Sequence, residues 1–206
     1  MALKLQVSEL IVPKSIETTL KSGRNICLRA IRADDEENID EGIRELSDQS
    51  RYLRFFSGFK EAPPSVVERL AAADGSDHIA WGMIDMDHPD QKAFAAAHAI
   101  RESSDDRFGE FSIAVLDEYQ AQGSGRILMT TVFLRCLMED IDMLDIQTLH
   151  ENKKAKALVK SVGAELVKTE GSIAFYCLNI SSALALLYDK HNAPGIQSVF
   201  QAFGTR

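Results

Sequence analysis

The chain has only three cysteines, Cys27, Cys136 and Cys177, far apart, odd in number and without CxxC or His-paired spacing. That excludes a disulfide framework and a thiolate metal site, and leaves reduced core thiols as the reading of all three. No stretch approaches the ~20 apolar residues of a membrane span, and residues 1–6 lack the apolar run of a signal peptide. A cytoplasmic protein with no membrane partner is the expectation. Positive charge is also scarce: 23 Lys and Arg stand against 31 Asp and Glu, a formal net charge of −8. Proteins that track nucleic-acid phosphates cluster cations, so no nucleic-acid partner is expected, and an acidic surface suits a cationic one. No histidine pair has HxxxH spacing, so no metal is expected, and His78, His88 and His191 show no convergent partners.

Repeats, low-complexity tracts and Ser/Gly linkers are absent as well, which favours one domain over 26–190, with an N-terminal extension (1–25) and a C-terminal tail (191–206) as weakly patterned appendages. Within it, 26–31 alternates as a strand, and Asp34 or Asp35 is placed to cap a helix carrying Ile39, Ile43 and Leu46. A second helical piece covers 51–59. Pro63-Pro64-Ser65 opens a third, which Gly75 closes. Segments 78–84, 94–101 and 108–115 are short runs between turn-rich stretches and read as a three-strand meander. Then come a long helix at 124–140 (Ile127, Leu128, Thr131, Leu134, Met138 on its buried face), a strand at 144–149 and a helix at 152–162. Strands at 166–167 and 173–178 and a helix at 181–188 follow. The order implies an α/β (α+β) fold with a mixed, mostly antiparallel sheet and helices on both faces.

The most informative stretch joins the strand at 108–115 to the long helix: Gln120-Ala121-Gln122-Gly123-Ser124-Gly125-Arg126. Two glycines let backbone approach a ligand closely, and the first amides of the helix, backed by its dipole, point at the same spot. A pyrophosphate fits there; an ordinary helix start with Ser124 as N-cap is the plainer alternative. No Lys follows the second Gly, so it is not a Walker loop, and the preceding meander is not the βαβ opening of a dinucleotide fingerprint.

On these residues the sequence resembles the GNAT acetyltransferase superfamily, whose cofactor motif [QR]xxGx[GA] is filled by Gln120, Gly123 and Gly125. The resemblance runs over about 26–178. His150-Glu151-Asn152 through Val162-Gly163 looks like the family's second signature, with Ala164 where a Phe is usual. Leu46-Ser47 and Ser50-Arg51-Tyr52-Leu53-Arg54-Phe55-Phe56, with Gly109-Glu110-Phe111, are similar to the Pat-type protein lysine acetyltransferases. The resemblance implies acetyl-CoA as cofactor, with the pyrophosphate on Gln120, Ala121, Gln122, Gly123, Ser124, Gly125 and Arg126. It further implies that the backbone of Ile113, Ala114 and Val115 pairs with the pantetheine arm, and that Asn152, otherwise a helix N-cap, bonds that arm. The acceptor it implies is an amine, a protein lysine first.

Amine acylation needs a neutral nucleophile, whereas a free lysine with pKa near ~10.4 is almost wholly protonated at neutral pH. Glu110, on the strand feeding the phosphate loop, is the candidate general base; a solvent-facing strand-end carboxylate is the alternative. Backbone amides of 113–115 are placed to polarise the thioester carbonyl. Many GNAT enzymes carry a tyrosine acid where this chain has Val159, and an often-seen Pro is Asp117. His98 is either a satisfied core residue or a second base, and His150 is ambiguous. Lys153, Lys154 and Lys156 read as a solvated helix face, with contact to a CoA phosphate as the alternative; Arg51 and Arg54 read as surface salt-bridging residues, with positioning of an acceptor as the alternative. Tyr52, Phe55, Phe56 and Phe59 recur at helical spacing as a core stripe. No cysteine has the setting of an acyl-enzyme nucleophile, so direct attack in a ternary complex is expected. Small amines or polyamines as acceptors, a non-catalytic acyl-CoA-binding module, and self-association into a homo-oligomer stay open.

Overall fold

A computed structural model describes residues 5–190 and 193–205; His191 lies outside the described residues. Eight strands form one sheet in the order β1-β2-β3-β4-β5-β6-β8-β7. They are β1 (Ser15–Thr19), β2 (Asn25–Ala30), β3 (His78–Asp85), β4 (Ala93–Ile100), β5 (Phe108–Val115), β6 (Met143–Leu149), β7 (Glu165–Glu170) and β8 (Ile173–Asn179). Every neighbouring pair is antiparallel except β5 and β6. The helices are α1 (Glu36–Glu45), α2 (Asp48–Phe55), α3 (Pro64–Ala71), α4 (Ser124–Met138), α5 (Lys153–Ser161), α6 (Ile180–Lys190) and α7 (Pro194–Ala202).

The period-2 alternation of β4 and β5 assigns the two layers. Ala95, Ala97, Ala99 and Phe111 point into the main core, where Phe111 meets Phe133 of α4 edge-on at 5.4 Å. His98 and Ser112, directly opposed in the ladder, point to the other face, covered by α1, α2 and α3. One face therefore carries α4, α6 and α7 and the other α1–α3, the arrangement expected from the order of elements.

Two elements fall where the sequence shows little pattern. β1 extends the sheet beside β2, and α7 packs against β1 and α4. β1 is short and buries only Ile16 fully, whereas α7 buries Ile196, Val199 and Phe200 at helical spacing against neighbours distant in sequence. Their presence corrects the picture of α4. It is buried from Ile127 through Leu137 without interruption, not along one face, because α6 and α7 cover the side turned away from the sheet. The aromatic stripe is a second correction. α2 ends at Phe55, Phe56 takes φ 55°, and Tyr52 is exposed, so the four rings do not share one buried helix face.

The seat of α7 is close. A Cβ on Gly195 would lie 2.5 Å from Ile127 Cδ1 and 3.2 Å from the Thr19 carbonyl oxygen. Gly195→Val is expected to force α7 away from α4 and β1 and to cost about 1–3 kcal/mol, read as a lower urea midpoint with an unchanged slope.

Candidate active site

The β5–β6 register among the described residues runs only from Phe108↔Met143 to Glu110↔Asp145. β6 continues to Leu149 fully paired with β8, and β5 continues to Val115 fully paired with β4. The two strands thus part after Glu110, and the facing edges of 111–115 and 146–149 line a wedge. Ile113, Ala114 and Val115 are all half-buried along it. Backbone groups left without a strand partner need another one, which makes such a wedge a place for an extended polar chain.

At the wide end β5 runs into a 3-10 turn (Asp117–Tyr119) and then α4. Gly123, at φ 100°, is the N-cap, which is not Ser124; the Ser124 hydroxyl instead donates to the Tyr119 carbonyl at 3.1 Å. The helical ladder starts with Ile127 N to Gly123 O, so the amides of 124–126 lie ahead of it at the positive end of the dipole. Ala121 is also left-handed, at φ 60°. Gly125 also meets a packing need: a Cβ there would sit 2.9 Å from Leu158, so its smallness lets α5 lie close against α4.

A set of side-chain hydrogen bonds, one of them buried, holds this turn in place. Tyr119 donates to Asp85 at 2.7 Å, and Arg24 donates to both at 2.6 and 3.0 Å. Burial together with the Asp85 carboxylate pushes the Tyr119 phenol up to about 12. Asp117 accepts from the Ser47 amide and hydroxyl and from the Ser50 hydroxyl, tying the start of α2 to the end of β5. Burial alone would raise its pKa; those donors outweigh it and hold it low. Gln120 donates to the Val115 carbonyl at 3.1 Å and accepts from Lys154 at 2.8 Å. Gln122 donates to the Glu118 carbonyl, and Arg126 reaches the Ser161 hydroxyl at 3.2 Å. Asn152 caps α5 by accepting from the Ala155 amide at 3.0 Å. Val159 is buried, with no proton to give.

At the narrow end Glu110 is exposed and shares a face with Ser112 and His98. Arg54 is not the expected surface residue. Its guanidinium donates to the Ser112 hydroxyl at 2.7 Å; burial lowers its pKa to about 10, and the nearby Glu110 carboxylate opposes that shift. Arg51 does pair with Asp48 but is buried, donating to the carbonyls of Leu46 and Phe59. His78, for which the sequence shows no partner, lies with its Nε2 3.0 Å from His98 Nδ1, a cross-strand diagonal that spacing along one strand does not reveal. Burial first, then the Arg54 charge and His78, holds His98 well below the usual histidine range. The three cysteines are free thiols with pKa values raised chiefly by burial, unsuited to act as nucleophiles. No group of three or more His, Cys, Asp or Glu able to hold a metal occurs among the described residues.

A sheet that splits between β5 and β6 and leads into a loop at a helix start has known counterparts. The GNAT domain of PAT from S. lividans superposes with a TM-score of 0.72 over 85 % of this chain and 99 % of that one, at 17 % identity. The fold is that of the GNAT acetyltransferases. Spermidine N-acetyltransferase from Vibrio cholerae, solved with CoA and spermine, matches this GNAT fold with a TM-score of 0.60 at 16 % identity, over 77 % of this chain and 98 % of that one. In sequence the chain is similar to an acetyltransferase from Pseudomonas aeruginosa, 27 % identical over 119 residues. The match spans 54 % of this chain and 59 % of that relative. No family model matches the sequence. No helix among the described residues is long and apolar enough to cross a membrane.

The buried histidines carry a pH signature. Because His98 is hard to protonate when folded, the unfolded chain binds more protons below about pH 6.5, so stability is full above that pH and is lost as pH falls beneath it. The urea midpoint is expected to drop between pH 7 and 5.5, and His98→Phe should flatten that slope. Asp35, held at about 2 by Arg29, titrates in a lower window and does not interfere.

Proposed function

We propose that this chain is an N-acyltransferase that moves an acetyl group from acetyl-CoA to an amine by direct attack in a ternary complex. The observation that carries this is the parting of β5 from β6 after Glu110, which leaves a strand edge leading straight to the exposed amides of α4. The donor set fits the group: amides and a helix dipole for a pyrophosphate, and an unpaired strand edge for an amide-containing arm. Gly123 suits the close approach, since the nearest atoms to a Cβ there belong to the flexible Lys21 side chain at 3.8 Å or more.

Acetyl-CoA, bound there, supplies the activated acyl carbon. The residues of the chain then do three things. Residues 120–126 hold the diphosphate, with Gln120 bracing the loop and Arg126 adding positive charge. The amides of 113–115 orient the arm and polarise the thioester carbonyl. Glu110 takes the proton of the attacking ammonium, so that the nitrogen lone pair can form the C–N bond as the C–S bond breaks and its electrons leave with the CoA thiolate. Val159 supplies no proton, and the thiolate is protonated through water by the second N–H proton that the nitrogen sheds as the amide forms.

For the acceptor we favour a protein lysine. Support comes from the shape of the S. lividans PAT domain and the similar segments around Arg51 and Glu110. A polyamine is the competing reading, favoured by the likeness to the spermidine enzyme. Mass spectrometry of products formed from a protein extract and from a polyamine mixture separates the two.

Gly123→Leu is expected to weaken CoA binding at least tenfold by calorimetry; unchanged affinity would remove the basis for the reading. Glu110→Gln should lower kcat by about 10²–10⁴ while leaving the CoA Kd within twofold, and full retention of turnover would exclude Glu110 as the base.

A further inference from the structure

The face of the sheet beneath α1, α2 and α3 is not filled. A cavity of about 100 Å³ lies there, roofed by Ile39, Ile43, Phe55 and Leu70. Its floor is made of Gly82, Ala96 and Ala114, which stand side by side in register across β3, β4 and β5. The backbone does not demand a glycine at 82: a Cβ there would meet nothing nearer than 3.6 Å. Protein interiors pack with few voids larger than a water molecule, so an apolar space of this size beside a reaction centre calls for an occupant.

The charges on its wall restrict what that occupant is. At one end Arg29 and Asp35 form a closed pair at 2.6 Å. At the other stand the Arg54 guanidinium and His98, which burial keeps neutral. With Asp35 taken by Arg29, an ammonium entering the cavity would meet cations and hydrocarbon. The acceptor nitrogen belongs instead at Glu110, on the far side of the Arg54–Ser112 hydrogen bond. The cavity also reaches Ala114, Val115 and Leu116. Ala114 thus turns its methyl to the cavity while its strand edge faces the wedge between β5 and β6. A hydrocarbon chain joined to a thioester lying on that edge has only to fold over the strand to enter.

We propose that the cavity takes the hydrocarbon tail of the acyl donor, so that the protein uses acyl-CoA thioesters longer than acetyl. With roughly 30 Å³ per small group, the space holds about three methylenes, which favours acyl groups of about four or five carbons. The proposal rests on the acyl-CoA reading above and leaves its chemistry unchanged. Glu110 receives the ammonium proton, the freed amine forms the C–N bond, the C–S bond breaks with its electron pair going to sulfur, and the second N–H proton passes through water to the thiolate.

The test compares CoA, acetyl-CoA, butyryl-CoA and hexanoyl-CoA, by calorimetry without acceptor and by kcat/KM with a fixed amine, in the wild type, Ala96→Leu and Gly82→Val. At about fourfold per buried methylene, butyryl-CoA is expected to bind the wild type about fifteenfold more tightly than acetyl-CoA. Either filling variant should erase that advantage while leaving CoA and acetyl-CoA within twofold. Wild-type affinities that stay flat or fall from acetyl to butyryl overturn the proposal while the acetyl-transfer reading stands. So does an Ala96→Leu effect confined to the KM of the acceptor, which would give the cavity to the amine. Absence of binding by every thioester would instead sink the acyl-CoA reading itself.

Discussion

Three residue pairs between β5 and β6 govern the rest of this molecule. Antiparallel neighbours extend the sheet on both sides of that junction, and a parallel junction requires a long crossover, here provided by α4. Were the junction to continue past Glu110, the backbone groups of 111–115 would be consumed by β6 and the sheet would close. Because it stops, one sheet holds together as a scaffold while a wedge opens inside it, with Glu110 at the apex and the start of α4 at the mouth.

A wedge of unpaired backbone is useful only if its walls hold still, and the buried polar groups around it have that effect. Tyr119, Asp85 and Arg24 tie the turn after β5 to the end of β3. Asp117 ties the same turn to α2. The Tyr119–Asp85 bond is buried, so losing it would leave a group unsatisfied at a cost of ~1–3 kcal/mol, whereas the Asp117 bonds are exposed and act by holding geometry. The consequence is that the loop before α4 is held both by the end of β3 and by the start of α2.

Electrostatics divide the face beneath α1–α3 into two compartments. Glu110 carries the exposed negative charge at the apex; behind it, Arg54 and the neutral His78–His98 pair give a wall with no free carboxylate among the described residues lining the cavity. A nucleophile that must arrive cationic and lose a proton is drawn to the first compartment, and an uncharged chain to the second.

Much of this was legible in the order of residues. The meander at 78–115, the long helix after it and the loop with Gly123 and Gly125 follow from periodicity and glycine placement, properties fixed locally by backbone sterics and side-chain alternation. The neighbours of those elements were not legible. β1 buries only Ile16 fully, and although Ile196, Val199, Phe200 and Phe203 of the α7 region recur at helical spacing, nothing in the order of residues says what they pack on, which is β1 and α4. Arg54 looked like a surface cation, and His78 looked isolated, because their partners, Ser112 and His98, are supplied by strands and helices remote in the chain. The sequence by itself determined which segments become strand, helix and glycine-bearing loop, since those choices rest on contacts a few residues apart. Only the tertiary structure decided where β5 leaves β6, which charges share a wall and where hydrocarbon was left out, because each depends on pairing and packing between segments that the chain order does not place side by side.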